Sequence, residues 1–258
     1  MGLPELVFLL NPLGFVADGT VKGSMPTGPW LSDPELGPQG LSGALGVLVD
    51  DVLGYAINAH AVAWSVSTEI SLDLVGSVPT DGSLVRAEGF AVHKDQSSAF
   101  ARGAVVDESG ETIAYAQERS RFIDAAPAPG SWDPPSAPRH DMEAPTTIAH
   151  LFGGDVLLQE SGAEVNVGQR LANPLGNLHG GMSLCLAEWL AARATPTLAR
   201  TSSIRVQYVR PLPKGAHATV RATVDHRGRS LGAVRVVMSD AAGRPCTIAS
   251  VLREGHPA

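Results

Sequence analysis

A chain of 258 residues has room for one large domain or two of about 120 residues each. With 44% hydrophobic and 17% charged residues it can bury a substantial core, and its formal charge of −7 argues against a nucleic-acid partner. Cys185 and Cys246 stand far apart without metal-ligand spacing, which points to a reducing compartment and no disulfide framework. The start, MGLPELVFLL, lacks a basic n-region and carries Glu5, and no apolar run nears the roughly 18 residues of a membrane span. The expectation is a soluble cytoplasmic protein with no membrane or nucleic-acid partner.

Residues 43 to 58 are almost wholly apolar, too much so for a surface helix and too short to cross a bilayer, and they suit a buried central helix. Alternation follows from Trp64 to Leu74. Trp64, Val66, Ile70, Leu72 and Leu74 are expected on one face, and Ser65, Ser67, Glu69, Ser71 and Asp73 on the other. Strand-like runs continue near 83–92, 98–107 and 111–123.

Residues 124 to 146 hold Pro127, Pro129, Pro134, Pro135, Pro138 and Pro145, the composition of an extended connector. Beyond it the order recurs: an apolar helix near 180–194, then strands near 201–210, 216–225, 231–240 and 245–253. Gly82 and Gly215 are 133 apart, as are Gly110 and Gly243; Leu74 and Tyr208 are 134 apart, and Asp50 and Glu188 are 138 apart. This is the pattern of a duplication, with units at 1–123 and 147–258. One helix with four antiparallel strands after it and one before it is a helix wrapped in a sheet, an α+β architecture.

The densest cluster of special residues is Asn173-Pro-Leu-Gly176-Asn-Leu-His179-Gly180-Gly181, with Glu188 nine residues after the histidine. Gly180 and Gly181 open a helix, where free N–H groups and the positive dipole end meet negative charge. A preorganised N–H there is a suitable oxyanion donor, and glycine lets a substrate carbonyl approach the backbone. Glu188 is the one ionisable residue between Met182 and Ala192, and burial of such a carboxylate suits a general base.

This motif resembles that of the hotdog thioesterases of the phenylacetate-pathway and thioesterase-superfamily type, and the whole chain then resembles a tandem, or double, hotdog. The resemblance implies hydrolysis of acyl-coenzyme A thioesters without cofactor or metal, and further assembly as a dimer or trimer of double hotdogs. Nine residues of helix rise roughly 13 Å and turn a side chain to the far side, so His179 and Glu188 cannot easily serve one substrate atom. In the family the carboxylate of one hotdog works with the Asn and His-Gly of its neighbour, which here is the other half.

In the first half, Leu41-Ser42-Gly43 aligns with His-Gly-Gly, Asp50 with Glu188, and Glu35 with Asn173. Two unequal crossed sites follow. Asp50 with Asn173, His179 and Gly180 looks complete; Glu188 with the degraded Leu-Ser-Gly segment looks impaired. Asp51 fits the repeat less well than Asp50 and is expected to point outward. By the resemblance, Ser67 (matched by Thr201, with Thr68 adjacent) orients the water. Asp50 then activates that water or attacks directly, the carbonyl rests on the Gly180 N–H with Asn173, and His179 lies near the leaving sulfur. Arg205, Arg210, Lys214 and Arg235 are candidates for coenzyme A phosphates. A hotdog hydratase or dehydratase is one rival reading, though neither half holds its Asp-then-His spacing; a non-catalytic acyl-thioester binding protein is the other.

Overall fold

The computed structural model describes residues 3–8, 10–11, 13–16, 18–59, 63–124, 146–160 and 162–255. The connector expected at 124–146 lies, but for its two end residues, outside the described residues. A short helix α1 (Leu3–Val7) precedes β1 (Gly14–Phe15) and β2 (Val21–Pro26). A turn of 3-10 helix (Ser42–Leu45) leads into α2 (Gly46–Asn58), followed by β3 (Trp64–Leu74), β4 (Leu84–Lys94), β5 (Ser98–Val106) and β6 (Thr112–Ile123). The second half has α3 (Ile148–Phe152), β7 (Val156–Gln159), β8 (Gly162–Asn166) and α4 (Gly180–Ala194). It ends with β9 (Arg200–Tyr208), β10 (His217–Arg227), β11 (Leu231–Asp240) and β12 (Pro245–Glu254).

All described strands join one antiparallel sheet of order β1-β2-β4-β5-β6-β3-β9-β12-β11-β10-β8-β7. Each half contributes six strands, in the same order from its outer edge to the seam. The two meet where β3 pairs with β9, Ser71 opposite Arg205 and Ile70 opposite Val206. Ser71 and Arg205 are themselves repeat equivalents, and the pairing of Ile70 with Val206 is mirrored by that of Leu72 with Ile204, so a pseudo-twofold axis passes through the seam.

Irregularities repeat as well. The register shifts between Ala91 and His93 in β4 and between Val224 and His226 in β10. It shifts again between Val105 and Val106 and between Met238 and Ser239. In both pairs the offset is 133 residues, matching the turn glycines, so the duplication reaches the defects of the strands as well as their order.

Both long helices are buried. In α2, Val47, Leu48, Val49, Val52, Leu53 and Ile57 are at most 1% exposed; in α4, Leu184, Cys185 and Trp189 are equally enclosed. Apolar side chains dominate both because sheet covers one flank and the partner helix another. The helices cross on glycine: a Cβ on Gly181 would stand 2.4 Å from the Gly46 carbonyl group, and one on Gly46 2.7 Å from the Gly181 oxygen. No helix among the described residues is long and apolar enough to cross a membrane.

One expected alternation is broken. Thr68 is an extra residue in β3, since Ser67 pairs with Ser120 while Glu69 pairs with Arg119. The bulge inverts the phase: Ile70, Leu72 and Leu74 point into the core, but before it Ser65 is buried while Trp64 and Val66 are half-buried. Ser202 is the equivalent extra residue in β9.

Candidate active site

Asp50 lies four residues after Gly46 on α2, so it shares the face on which the helices touch. That contact carries it to the amino terminus of α4, where Asp50 Oδ2 accepts the Gly181 N–H at 2.9 Å and lies 3.0 Å from His179 Nδ1. The approach requires Gly180, because a Cβ there would sit 2.6 Å from Asp50 Oδ2. A helix amino terminus and a free N–H favour a carboxylate at this point. The first half thus delivers its carboxylate to the His-Gly-Gly of the second.

His179 is the N-cap of α4 and only 3% exposed. Burial pushes its imidazole down, but the Asp50 carboxylate, with Asp51 and Glu5 beyond, outweighs this and holds the ring well above its ordinary value. A protonated Nδ1 then donates to Asp50, and the Gly181 N–H serves the same oxygen. Nε2 faces Asp51 Oδ1 at 3.4 Å and Glu5 Oε1 at 3.9 Å. Both ring nitrogens are therefore turned to carboxylates, a different posture from the expected one beside a leaving sulfur. Asp51, expected to point outward, is buried against His179, because α2 is enclosed on both flanks.

Ser67 Oγ lies 3.4 Å from Asp50 Oδ1 and donates to Glu118 Oε1 at 2.9 Å. Ser120 donates to the same Glu118 oxygen at 2.7 Å. Glu118 is 1% exposed, and burial, with the nearby Asp50 charge, pushes its carboxyl up to about 8. At neutral pH Glu118 is thus a neutral acid, which leaves Asp50 without a second carboxylate charge across the serine.

At the first helical position the Gly180 N–H has no intrahelical acceptor and no other among the described residues. The Gly180 oxygen accepts the Tyr208 hydroxyl at 2.8 Å. Asn173 Oδ1 accepts from the Leu175 and Asn177 N–H groups, which fixes its carboxamide and leaves Nδ2 free to donate. Gly176 supplies the left-handed turn of this loop, at φ 75°. Asp50, Ser67, Glu118, Asn173, His179 and Gly180 all line one cavity of about 510 Å3. Its further walls are Tyr55, Trp64 and Ile123 from the first half and Leu175, Val209 and Leu212 from the second.

Glu188 lies elsewhere. It is 1% exposed and accepts the Gly43 N–H, mirroring Asp50 on Gly181. Burial raises its carboxyl, against hydrogen bonds from Thr201, Gly43 and Ser42 and the Arg253 charge. Arg253, repeat-equivalent to Ser120, donates to Thr201 at 2.9 Å and to the Leu198 carbonyl. Leu41 stands where the other site has His179, and Glu35, aligned with Asn173, is paired to Arg193 at 2.7 Å. Neither Glu188, Thr201 nor Arg253 lines the cavity.

Of the four candidate cations, Arg205 pairs with Glu69 at 3.5 Å, Arg235 with Asp225 at 3.2 Å, and Lys214 donates to Gln169. Arg210 donates to the Pro245 carbonyl and lines the cavity. Sequence reasoning missed Glu5, Glu118 and Tyr208. Glu118 had a usable signal: it occupies an inward position of β6, two residues after Ala116 and two before Ser120, where an ionisable side chain needs a reason. Glu5 had none, being distant in sequence from everything it meets.

Residues 170–253 match the model of the acyl-CoA thioesterase N-terminal domain. No curated protein sequence matches the chain. Among solved structures it resembles a Thermobifida fusca protein assigned as a thioesterase II, with a TM-score of 0.66 at 13% identity over 100% of both chains. It also resembles the tesB protein of Mycobacterium avium subs paratuberculosis, with a TM-score of 0.64 at 12% identity over 100% of both. The 12:0-ACP thioesterase of Umbellularia californica gives 0.62 at 10% identity, over 92% of this chain and 94% of that one. These identities establish fold. The chain therefore has the double-hotdog architecture of the thioesterases, and the part of its second half that bears His-Gly-Gly matches an acyl-CoA thioesterase domain.

Proposed function

We propose that the protein hydrolyses acyl-coenzyme A thioesters to a free acid and coenzyme A, at one composite site per chain. The observation that carries this reading is Asp50 of one half seated on the Gly181 N–H and His179 of the other, at the wall of a cavity of about 510 Å3. The carbonyl oxygen rests on the Gly180 N–H and Asn173 Nδ2, donors aimed where negative charge develops. Asp50 Oδ2 is already engaged twice, so Oδ1, facing Ser67, takes the proton of the attacking water. The tetrahedral intermediate collapses by expelling the thiolate, which receives that proton back. His179 is a positioning residue here: it holds the orientation of Asp50. Arg210, at the cavity and without a carboxylate partner among the described residues, meets a coenzyme A phosphate.

The test is free-thiol release from short, medium, long and aromatic acyl-coenzyme A substrates, with Asp50→Asn beside the wild type. Turnover that vanishes in the variant supports the reading; tight acyl-coenzyme A binding with no turnover on any member replaces it with a binding protein. A single turnover in 18O-water separates the two routes for Asp50. Label in the first acid released supports water activation, and unlabelled first product shows that the carboxylate attacked directly. We further read the protein as cytoplasmic, with both buried cysteines reduced, and as a homo-oligomer of double hotdogs; light scattering at several concentrations measures the latter.

A further inference from the structure

Behind Asp50, three ligand-type atoms converge from three separate elements: Glu5 on α1, Asp51 on α2 and His179 at the start of α4. Asp51 Oδ1 and Glu5 Oε1 lie 3.4 and 3.9 Å from His179 Nε2, and all three atoms fall within 4.8 Å of one another. Glu5, Asp51 and His179 are 7%, 9% and 3% exposed. The second oxygen of Glu5 is buried with no hydrogen-bond partner among the described residues. Counting Asp50, three largely buried carboxyl groups surround one imidazole at the wall of the cavity. An unpaired buried carboxylate is expensive, and the only cationic partner in the group is already claimed on its other nitrogen by Asp50.

That division of the ring is informative. An imidazole that ligates a metal through one nitrogen ordinarily donates its other N–H to a carboxylate, which fixes the tautomer and the ring plane. His179 has that posture: Nδ1 is held by Asp50 at 3.0 Å and Nε2 is presented to two carboxylates. Bonds of about 2.0–2.2 Å from zinc to nitrogen and oxygen place tetrahedral ligand atoms roughly 3.3 Å apart; Asp51 Oδ1 is already at that distance from Nε2, and Glu5, on the short helix α1, has to move in by about half an ångström or more to close the site. One nitrogen and two carboxylates suit zinc or a similar transition ion better than magnesium, which favours oxygen and keeps its waters. All three residues also line the cavity, which leaves room for a fourth, solvent ligand.

We propose that Glu5, Asp51 and His179 form a binding site for a divalent transition-metal ion of the zinc type. Residues 5, 51 and 179 share no sequence spacing, which is why no metal motif is readable in the chain. The ion would offset the charge of the two carboxyls and would fasten α1, a helix of five residues, to the two helices that carry Asp50 and His179. This inference does not rest on the thioester reading, and its readouts need no substrate.

The experiment uses the full chain, stripped with a chelator, exposed to zinc chloride alone, desalted and assayed by elemental analysis and thermal melting. The expected result is about one zinc per chain and a Tm raised by about 5 °C or more, with both effects lost in Glu5→Gln and Asp51→Asn while far-ultraviolet dichroism is unchanged. Zinc below about a tenth of an equivalent overturns the proposal, as does equal zinc retention by both variants, which would place the ion elsewhere. Should Asp51→Asn fail to fold, Glu5→Gln on the peripheral helix decides alone: retained zinc and an unchanged shift overturn the site.

Discussion

The chain builds the same junction twice, and the two copies have diverged in opposite directions. At one, Asp50 caps the start of α4 beside His179, Ser67 and a neutral Glu118, and a cavity opens onto them. At the other, Glu188 caps the 3-10 turn before α2 in the same way, but Leu41 replaces the histidine and Arg253 replaces a serine. The shared part, a helix carboxylate on a crossed-over glycine N–H, is what the fold needs to satisfy two helix termini. What differs is what surrounds the carboxylate. Apolar packing and a guanidinium make it a buried structural group, whereas imidazole, hydroxyl and open volume make it available for chemistry.

The most forceful way to break this comparison is to neutralise both carboxylates in turn. Asp50→Asn should lower kcat about 10³-fold with little change in KM, while Glu188→Gln should leave kcat within about threefold. Steady-state thiol release decides, and the opposite ranking would exchange the roles of the two junctions. Next in size, Arg253→Met should leave Glu188 without its nearby cation and destabilise the fold by about 3 kcal/mol, read by denaturant unfolding, with kcat of the folded fraction intact.

Glycine substitutions sharpen the contrast. Gly180→Ala pushes a methyl to 2.6 Å from Asp50 Oδ2 and should cost about 10²-fold in kcat. Gly43→Ala places its methyl 2.7 Å from the Leu184 oxygen, against backbone that cannot yield. It should lower Tm by roughly 2–6 °C while sparing kcat.

The smallest effect is a pH dependence. Burial, then the Asp50 charge, raises Glu118 to about 8 in the folded protein, from 4.5. Between those values the folded state holds a proton that the unfolded chain has released, so stability falls as pH rises from about 4.5 to 8. Glu118→Gln removes that titration and should flatten the decline by roughly 2 kcal/mol, once relaxation around the buried group is allowed for. Melting curves at pH 5, 6.5 and 8 measure it; parallel slopes in the two proteins would show that Glu118 is already ionised at neutral pH.

Much of this architecture was legible in the sequence because it rests on local periodicity. The two apolar helices and the alternating strands appear within three residues of their expected bounds, and the offset of 133 extends to shared bulges. The nine-residue helical separation excludes His179 and Glu188 from one site, but the pairing of Asp50 with the other half's His-Gly-Gly was legible only through the resemblance to the hotdog family. The rest depended on tertiary placement. A single inserted residue, Thr68, inverts the face pattern of β3, and alternation cannot register it beforehand. Asp51 turns inward because α2 is walled on two sides, a fact about neighbours and not about the helix. Glu118 and Glu5 reach the site from 68 residues downstream and 45 upstream of Asp50, separations that no local pattern spans.

The pairing of β3 with β9 has one further consequence. In an assembly of separate single hotdogs, a site that takes its carboxylate from one copy and its histidine from another disappears when the copies part on dilution. Here the two contributors lie in one polypeptide and one hydrogen-bonded sheet, so their effective concentration is set by the covalent connection and not by how much protein is present. Specific activity per chain should hold down to the lowest measurable enzyme concentration, whatever larger assembly dissociates on the way.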